Sequence, residues 1–303
     1  MQNQIINMCR VLIGPNAVVT DNQINDAIER VSLIFPNMDV AQIKNELLSL
    51  YGVRIQDFQI LEGNERRQPW LRDFKAERKS TWDFWVRYKQ YLSEQKGFAP
   101  LVIQKLDEMT DRILDNLFNP QSTNITIDKK GLVVGQVQSG KTANYTGLIC
   151  KAADAGFNFI VVLAGILNNL RSQTQSRIDE GFLGFDTQYE RAYNINNTTK
   201  IGVGLIPGFD SAIANSYTTS LDYGDFNSRA ANTAGFNFNA PQPIILVVKK
   251  NAAVLKRLNT WLKAQAGGHK IANKSLLLID DEADNASINT KKDKDLDPTA
   301  INK

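Results

Sequence analysis

Residues 135–142 read Gly-Gln-Val-Gln-Ser-Gly-Lys-Thr, two glycines five positions apart with Lys-Thr directly after the second. That string constrains the chain more than any other. Gly135 and Gly140 reach backbone angles that a side chain blocks, so the amides between them can turn inward as an anion-binding nest. The apolar run Leu132, Val133 and Val134, preceded by Ile125 and Ile127, suits a buried parallel strand running into the turn. A helix predicted over about 141–155 leaves it and points the positive end of its dipole at the same spot. Strand, loop and helix together form a phosphate cradle. Gly135, Gln138, Ser139 and Gly140 are its expected backbone contacts. Lys141 is placed to reach the β- and γ-phosphates of ATP, and Thr142 to ligate Mg²⁺.

A second string supplies what the loop lacks. Leu276, Leu277, Leu278 and Ile279 lead into Asp280, Asp281, Glu282, Ala283 and Asp284. An apolar strand ending in acids can hold a hard cation and orient a water. Asp281 is the expected Mg²⁺ contact, through water, and Glu282 the expected general base or water-positioning group. Asp280 competes with Asp281 for the metal. Asp284 is expected to couple the site to a neighbouring element. Together the two strings predict ATP binding and ATP hydrolysis, with Lys141, Asp281 and Glu282 as the catalytic set.

From residue 125 onward the hydrophobic pattern alternates. Strands are predicted near 125–134, 158–164, 201–206, 244–248 and 275–280, and helices near 141–155, 167–180 and 251–265. Such alternation predicts an α/β fold, a parallel sheet with helices on both faces. Ligands of such sheets bind at the carboxyl ends of the strands, where both motifs fall. The stretch 207–241 is rich in Gly, Asn, Ser and Thr with scattered aromatics, and is read as an insertion loop. Before residue 121 the pattern is helical. One helix is predicted over 21–35, with Thr20 and Gln23 as a capping box and Ile24, Ile28, Val31 and Phe35 inward. A second, capped by Asp39, turns Val40, Ile43, Leu47 and Leu50 inward. Helices over 80–92 and 100–118 follow, the latter with a stripe of Val102, Leu106, Met109, Ile113 and Leu117. The chain thus divides into a mainly α-helical N-terminal accessory region, 1–120, and an α/β ATPase domain, 121–303.

Composition narrows the classes. The 303 residues are 43% hydrophobic and 22% charged, ordinary for a globular chain. No apolar run approaches 18 residues, so no membrane span is expected. The start, Met1-Gln2-Asn3-Gln4, has no signal-peptide character. Cys9 and Cys150 stand far apart with one histidine, His269, which excludes a zinc cluster or disulfide framework and fits a reducing cytoplasm. The net charge of +3 neither demands nor excludes nucleic acid. Basic residues from Arg66 to Lys89 interleave with Trp70, Phe74, Trp82, Trp85 and Tyr88. That pattern fits a single-strand contact surface, but acids dilute it, and a solvated helix face over a Trp-rich core is the better reading.

The run Gly131 to Asn144 resembles the Z-one domain family, described as endonucleases. So do Val162-Leu163-Ala164-Gly165, Leu170 to Gln175, and Asp280-Asp281-Glu282-Ala283-Asp284-Asn285-Ala286-Ser287. The resemblance spans roughly residues 80–303. It implies a RecA-like P-loop fold related to superfamily-two helicases, and a place in bacterial restriction or phage defence beside nuclease or methyltransferase partners. It implies that Arg171, Ser172 and Gln173, after the second strand, and Lys249 and Lys250, after strand 244–248, contact nucleic-acid phosphates. Such contacts position a strand without reading its sequence; DNA is the expected partner, with RNA as the alternative. The family's next coupling motif and second motor domain do not occur within these residues, nor does a nuclease acid cluster. The resemblance therefore implies an N-terminal portion of a longer translocase, holding half of an ATP site. Two other classes compete: a P-loop regulatory switch without translocation, and a partner-recruiting module carried by the helical N-terminus.

Overall fold

The computed structural model describes residues 2–14, 19, 21–51, 69–77, 80–122, 127–134, 141–189, 199–237, 239–267 and 274–283. The chain forms two compact units. The first comprises Met1–Arg72, Lys89–Phe118 and Ile127–Leu148; the second comprises Asp73–Tyr88, Asn119–Thr126 and Ile149–Lys303.

The first unit is helical. Helices α1 (Gln2–Ile13), α2 (Asp21–Ser32) and α3 (Val40–Tyr51) pack on one another. Their core joins Ile5, Ile6, Cys9 and Ile13 to Ile24, Ala27, Ile28 and Val31, and to Ile43 and Leu47. The inward face predicted for α2 is present, with Phe35 partly buried against the cluster. In α3, Val40 is exposed instead. Thr20 lies outside the described residues, as does the side chain of Leu50. Helix α1 went unpredicted, as did the short α4 (Leu71–Ala76), whose first amides are capped by Asp115: Trp70 N and Leu71 N donate to its Oδ1 at 2.9 Å. In α6 (Pro100–Asn116) Val102 and Leu106 are buried as predicted, together with Ile103, Thr110 and Leu114, while Met109, Ile113 and Leu117 are only half-buried. Thr110 buries at no polar cost because its hydroxyl donates to the Leu106 carbonyl at 2.7 Å, a solution that a hydrophobic count overlooks.

The second unit is α/β. Its strands are β1 (Phe159–Ala164), β2 (Asn215–Ser216), β3 (Ile244–Val248) and β4 (Leu276–Asp281), in the order β2-β3-β1-β4 and all parallel. β1 and β3 are nearly continuous apolar runs buried on both faces, as parallel strands require. One face carries Phe159, Val161, Ile244, Leu246 and Val248 against α9 (Ser228–Thr233) and α10 (Ala252–Gln265), through Ala231, Val254, Leu258 and Trp261. Helix α8 (Asn168–Ile178) also packs on β1 and β3. Asn251 caps α10, its side chain accepting from Ala253 N and Val254 N.

Three strand and loop expectations are corrected. Residues 127–134 form no strand, and Leu132, Val133 and Val134 are 78%, 54% and 86% exposed. Residues 202–205 form a 3₁₀ turn, not a strand, because Gly204 fits its backbone against Gly184, where no side chain has room. The stretch 207–241 is not a bare insertion loop. It contributes β2, α9, and Tyr217 and Phe226 to the sheet's core. The sheet is also not covered throughout: β4 is an edge strand whose Leu276 and Leu278 are about half exposed. Among the described residues no helix is long and apolar enough to cross a membrane.

The aromatic stretch serves packing. Phe84 stacks on Phe182, and Lys75 and Lys151 lie over Trp82 and Trp85. Arg87 is buried and donates to the Phe182 carbonyl at 2.5 Å. The basic residues that this segment buries therefore do not form a contact surface. Helix α5 (Asp83–Glu94) is capped in trans by Asp154 of α7 (Lys141–Ala155), which accepts from Phe84 N and Trp85 N at 3.1 and 2.9 Å.

Candidate functional site

The carboxyl edge of the sheet collects the acidic motif. Register sets Asp280 level with Leu163 of β1, and Asp281 level with Ala164. Gly165 follows β1 with φ +52°. Glu282 follows β4 with φ +53°. Glutamate rarely enters the left-handed region, and such backbone persists where surrounding contacts hold it. Here one contact does so: the Lys250 ammonium donates to the Glu282 carbonyl at 2.6 Å. The exposed Glu282 side chain lies over Gly165, with Oε2 3.7 Å from where a Cβ would stand.

The two central acids are not equivalent. Asp280 accepts the Lys250 ammonium at 2.7 Å. Lys250 has no exposed side-chain surface, and its own amide donates to the Gly165 carbonyl at 2.8 Å. One residue after β3 thus ties together the ends of β1 and β4. Asp281 is half-buried, and its Oδ1 accepts the neighbouring Glu282 amide at 3.1 Å. Among the described residues no group of three or more His, Cys, Asp or Glu could hold a metal by itself. The donor set therefore fits no all-protein cage. It fits Mg²⁺, which commonly binds through one or two carboxylates together with substrate phosphates and waters. Among the described acids of this strand end, Asp280 is the one whose carboxylate meets the Lys250 ammonium.

Gly135, Gln138, Ser139, Gly140 and Asp284 lie outside the described residues, as does the Lys141 side chain; Lys141 and Thr142 open α7, with Thr142 half-buried.

Two of the expected nucleic-acid contacts are corrected. Arg171 has no exposed surface. Its guanidinium donates to the Thr219 carbonyl at 2.8 Å and to the Leu221 carbonyl. Burial lowers its pKa, while Asp225, Asp222 and Asp179 act to raise it. Lys250 is committed to Asp280 and Glu282. A phosphate reaches neither cation without dismantling the fold. Gln173 is exposed and Ser172 half-buried. Lys249 is half-buried and donates to Asn168 Oδ1 at 2.9 Å.

Arg171 belongs to a buried polar network that sequence reasoning missed. The Gln175 amide donates to Asp179 at 2.8 Å, and its carbonyl accepts the Thr218 hydroxyl at 2.7 Å. Thr218 Oγ1 also accepts the Val247 amide at 2.9 Å. Asp179 accepts the Thr187 hydroxyl at 2.6 Å and its amide at 3.1 Å. Desolvation nevertheless pushes Asp179 up to about 7, because it outweighs these hydrogen bonds. The one available signal was composition: α8 reads Asn-Asn-Leu-Arg-Ser-Gln-Thr-Gln-Ser-Arg-Ile, too polar to be buried by apolar packing.

In comparison with known proteins, the chain matches no family model, no curated protein and no solved structure.

Proposed function

We propose that the chain is a RecA-like P-loop ATPase domain with an α-helical N-terminal accessory region, of the kind the Z-one resemblance implies. The carrying observation is the pairing of Gly135–Thr142 with an acidic strand end in which one aspartate and one glutamate are held apart from a third, neutralised acid. The loop amides and Lys141 bind the triphosphate. Thr142 and Asp281 hold Mg²⁺, which screens charge developing on the phosphates. Glu282 orients the attacking water and accepts its proton.

The substrate on which hydrolysis acts is proposed to be DNA, through Lys249, Gln173 and Ser172, in restriction-like defence with a nuclease or methyltransferase partner. The burial of Arg171 and Lys250 favours a second reading, a nucleotide-dependent switch without translocation. Stimulation of hydrolysis by duplex or single-stranded DNA separates them: the motor reading expects it and the switch reading does not. The nucleotide site itself is tested by calorimetry with MgATP. Lys141→Ala removes a charge-assisted phosphate contact and should weaken binding at least tenfold, the equivalent of ~1.4 kcal/mol. Equal binding by parent and variant would remove the assignment.

A further inference from the structure

The geometry points to Lys250 as a positioning residue of the acidic motif: it neutralises Asp280 and fixes the Glu282 backbone, leaving Asp281 as the carboxylate that meets the metal. This rests on the nucleotide reading above and adds the division of labour within it.

Three observations carry it. First, the ammonium meets Asp280 at 2.7 Å and the Glu282 carbonyl at 2.6 Å, which flank Asp281 in sequence. A single cation thus holds the residues on either side of the proposed metal ligand. Second, the cation is fully buried whereas Asp280 is partly open. A buried ammonium persists only if paired and hydrogen-bonded, because its desolvation cost is several kcal/mol, about the size of a small domain's stability. Asp280 is therefore needed where it is, and a carboxylate already engaged by an ammonium is a poor ligand for a second cation. Third, Glu282 sits at φ +53°, a conformation that relaxes unless tethered, and Lys250 is the tether. The anchor is rigid at its own end, since the Lys250 amide bonds the Gly165 carbonyl. β3 and β4 are separated by β1 in the sheet, so the side chain fixes the spacing of all three strand ends.

Outer contacts that orient metal ligands are commonly worth 10–100-fold in metal affinity. The test uses Mn²⁺ as the probe, titrated into the full chain with saturating ADP and followed by electron paramagnetic resonance, beside ADP binding in EDTA. Lys250→Met keeps most of the length of the side chain and removes its charge. It should weaken Mn²⁺ binding 10–100-fold while ADP affinity in EDTA stays within about twofold. Asp281→Asn should weaken Mn²⁺ at least as much. Lys250→Met combined with Asp280→Asn, which leaves no unpaired carboxylate, should recover thermal stability but not Mn²⁺ affinity. Unchanged Mn²⁺ affinity in Lys250→Met overturns the positioning role while leaving the nucleotide site standing. Absence of ADP binding by the parent overturns the nucleotide reading and this inference with it. If Lys250→Met does not fold, the double variant carries the same measurement, and Mn²⁺ affinity equal to that of the parent overturns the inference.

Discussion

Replacing Arg171 should destabilise the protein rather than detach it from a nucleic acid. The guanidinium is completely buried and donates to two backbone carbonyls, those of Thr219 and Leu221. A hydrogen bond from a charged donor contributes ~1.5–3 kcal/mol, and removing one partner from a buried charged set typically costs about 3–5 kcal/mol. Arg171→Met keeps much of the aliphatic volume, so the loss isolates the polar term. Two carbonyls lose their donor, and Asp225, already pushed up by burial, loses the cation that holds it down. The expected cost is about 3–5 kcal/mol. At ~2–4 °C per kcal/mol for domains near this size, the melting temperature should fall by about 10 °C. Arg171→Lys should lie between, because an ammonium cannot span both carbonyls as the planar fork does. The assay is thermal unfolding followed by circular dichroism, with Gln173→Ala as an exposed control. A melting temperature for Arg171→Met within about 2 °C of the parent would refute the reasoning, and would return Arg171 to the surface role that its sequence position first implied.

Asp179 sets a pH dependence. Its folded pKa, raised to about 7 by desolvation, lies above the unfolded value of ~3.9. The folded state therefore holds this proton more tightly, so the contribution is fully present below ~pH 4 and is lost as pH rises through about 7. Urea midpoints should decline over that window, and Asp179→Asn should shallow the decline; identical slopes would count against it. Asp154, also raised to about 7 by burial, should supply part of the slope that remains. Gly165→Ala should cost about 1–2 kcal/mol for the left-handed backbone, since the new Cβ meets Leu170 Cβ at 3.1 Å and stands 3.7 Å from Glu282 Oε2. ATP turnover should fall by more than that stability loss explains while MgADP affinity holds, and proportional losses in both would argue against a placement role for Gly165.

The sequence alone determined what local pattern can determine. Unbroken apolar runs announced β1, β3 and β4; in β1 and β3 the reason is that a strand buried on both faces has no room for alternation. Helices α2, α7, α8 and α10 were legible from periodicity and punctuation. The phosphate-loop string and the acid string stand out as chemical proposals from the sequence, since few residue types can cradle a phosphate or hold Mg²⁺. What the sequence could not carry was partnership. Arg171, Lys250 and Asp179 look like surface charges because charge predicts exposure on average. Their partners include backbone carbonyls at 219, 221 and 282, the Asp280 carboxylate, the Gln175 amide and the Thr187 hydroxyl, and a carbonyl has no letter in a sequence. The same blindness made 207–241 look like an insertion, although Thr218 and Tyr217 complete the sheet's polar and apolar packing. Nor could the order of the acids be read locally: Asp280 and Asp281 differ only in which side of a strand they leave from. The tertiary structure decided between them by bringing a buried ammonium from β3 across the end of β1 to one and not the other.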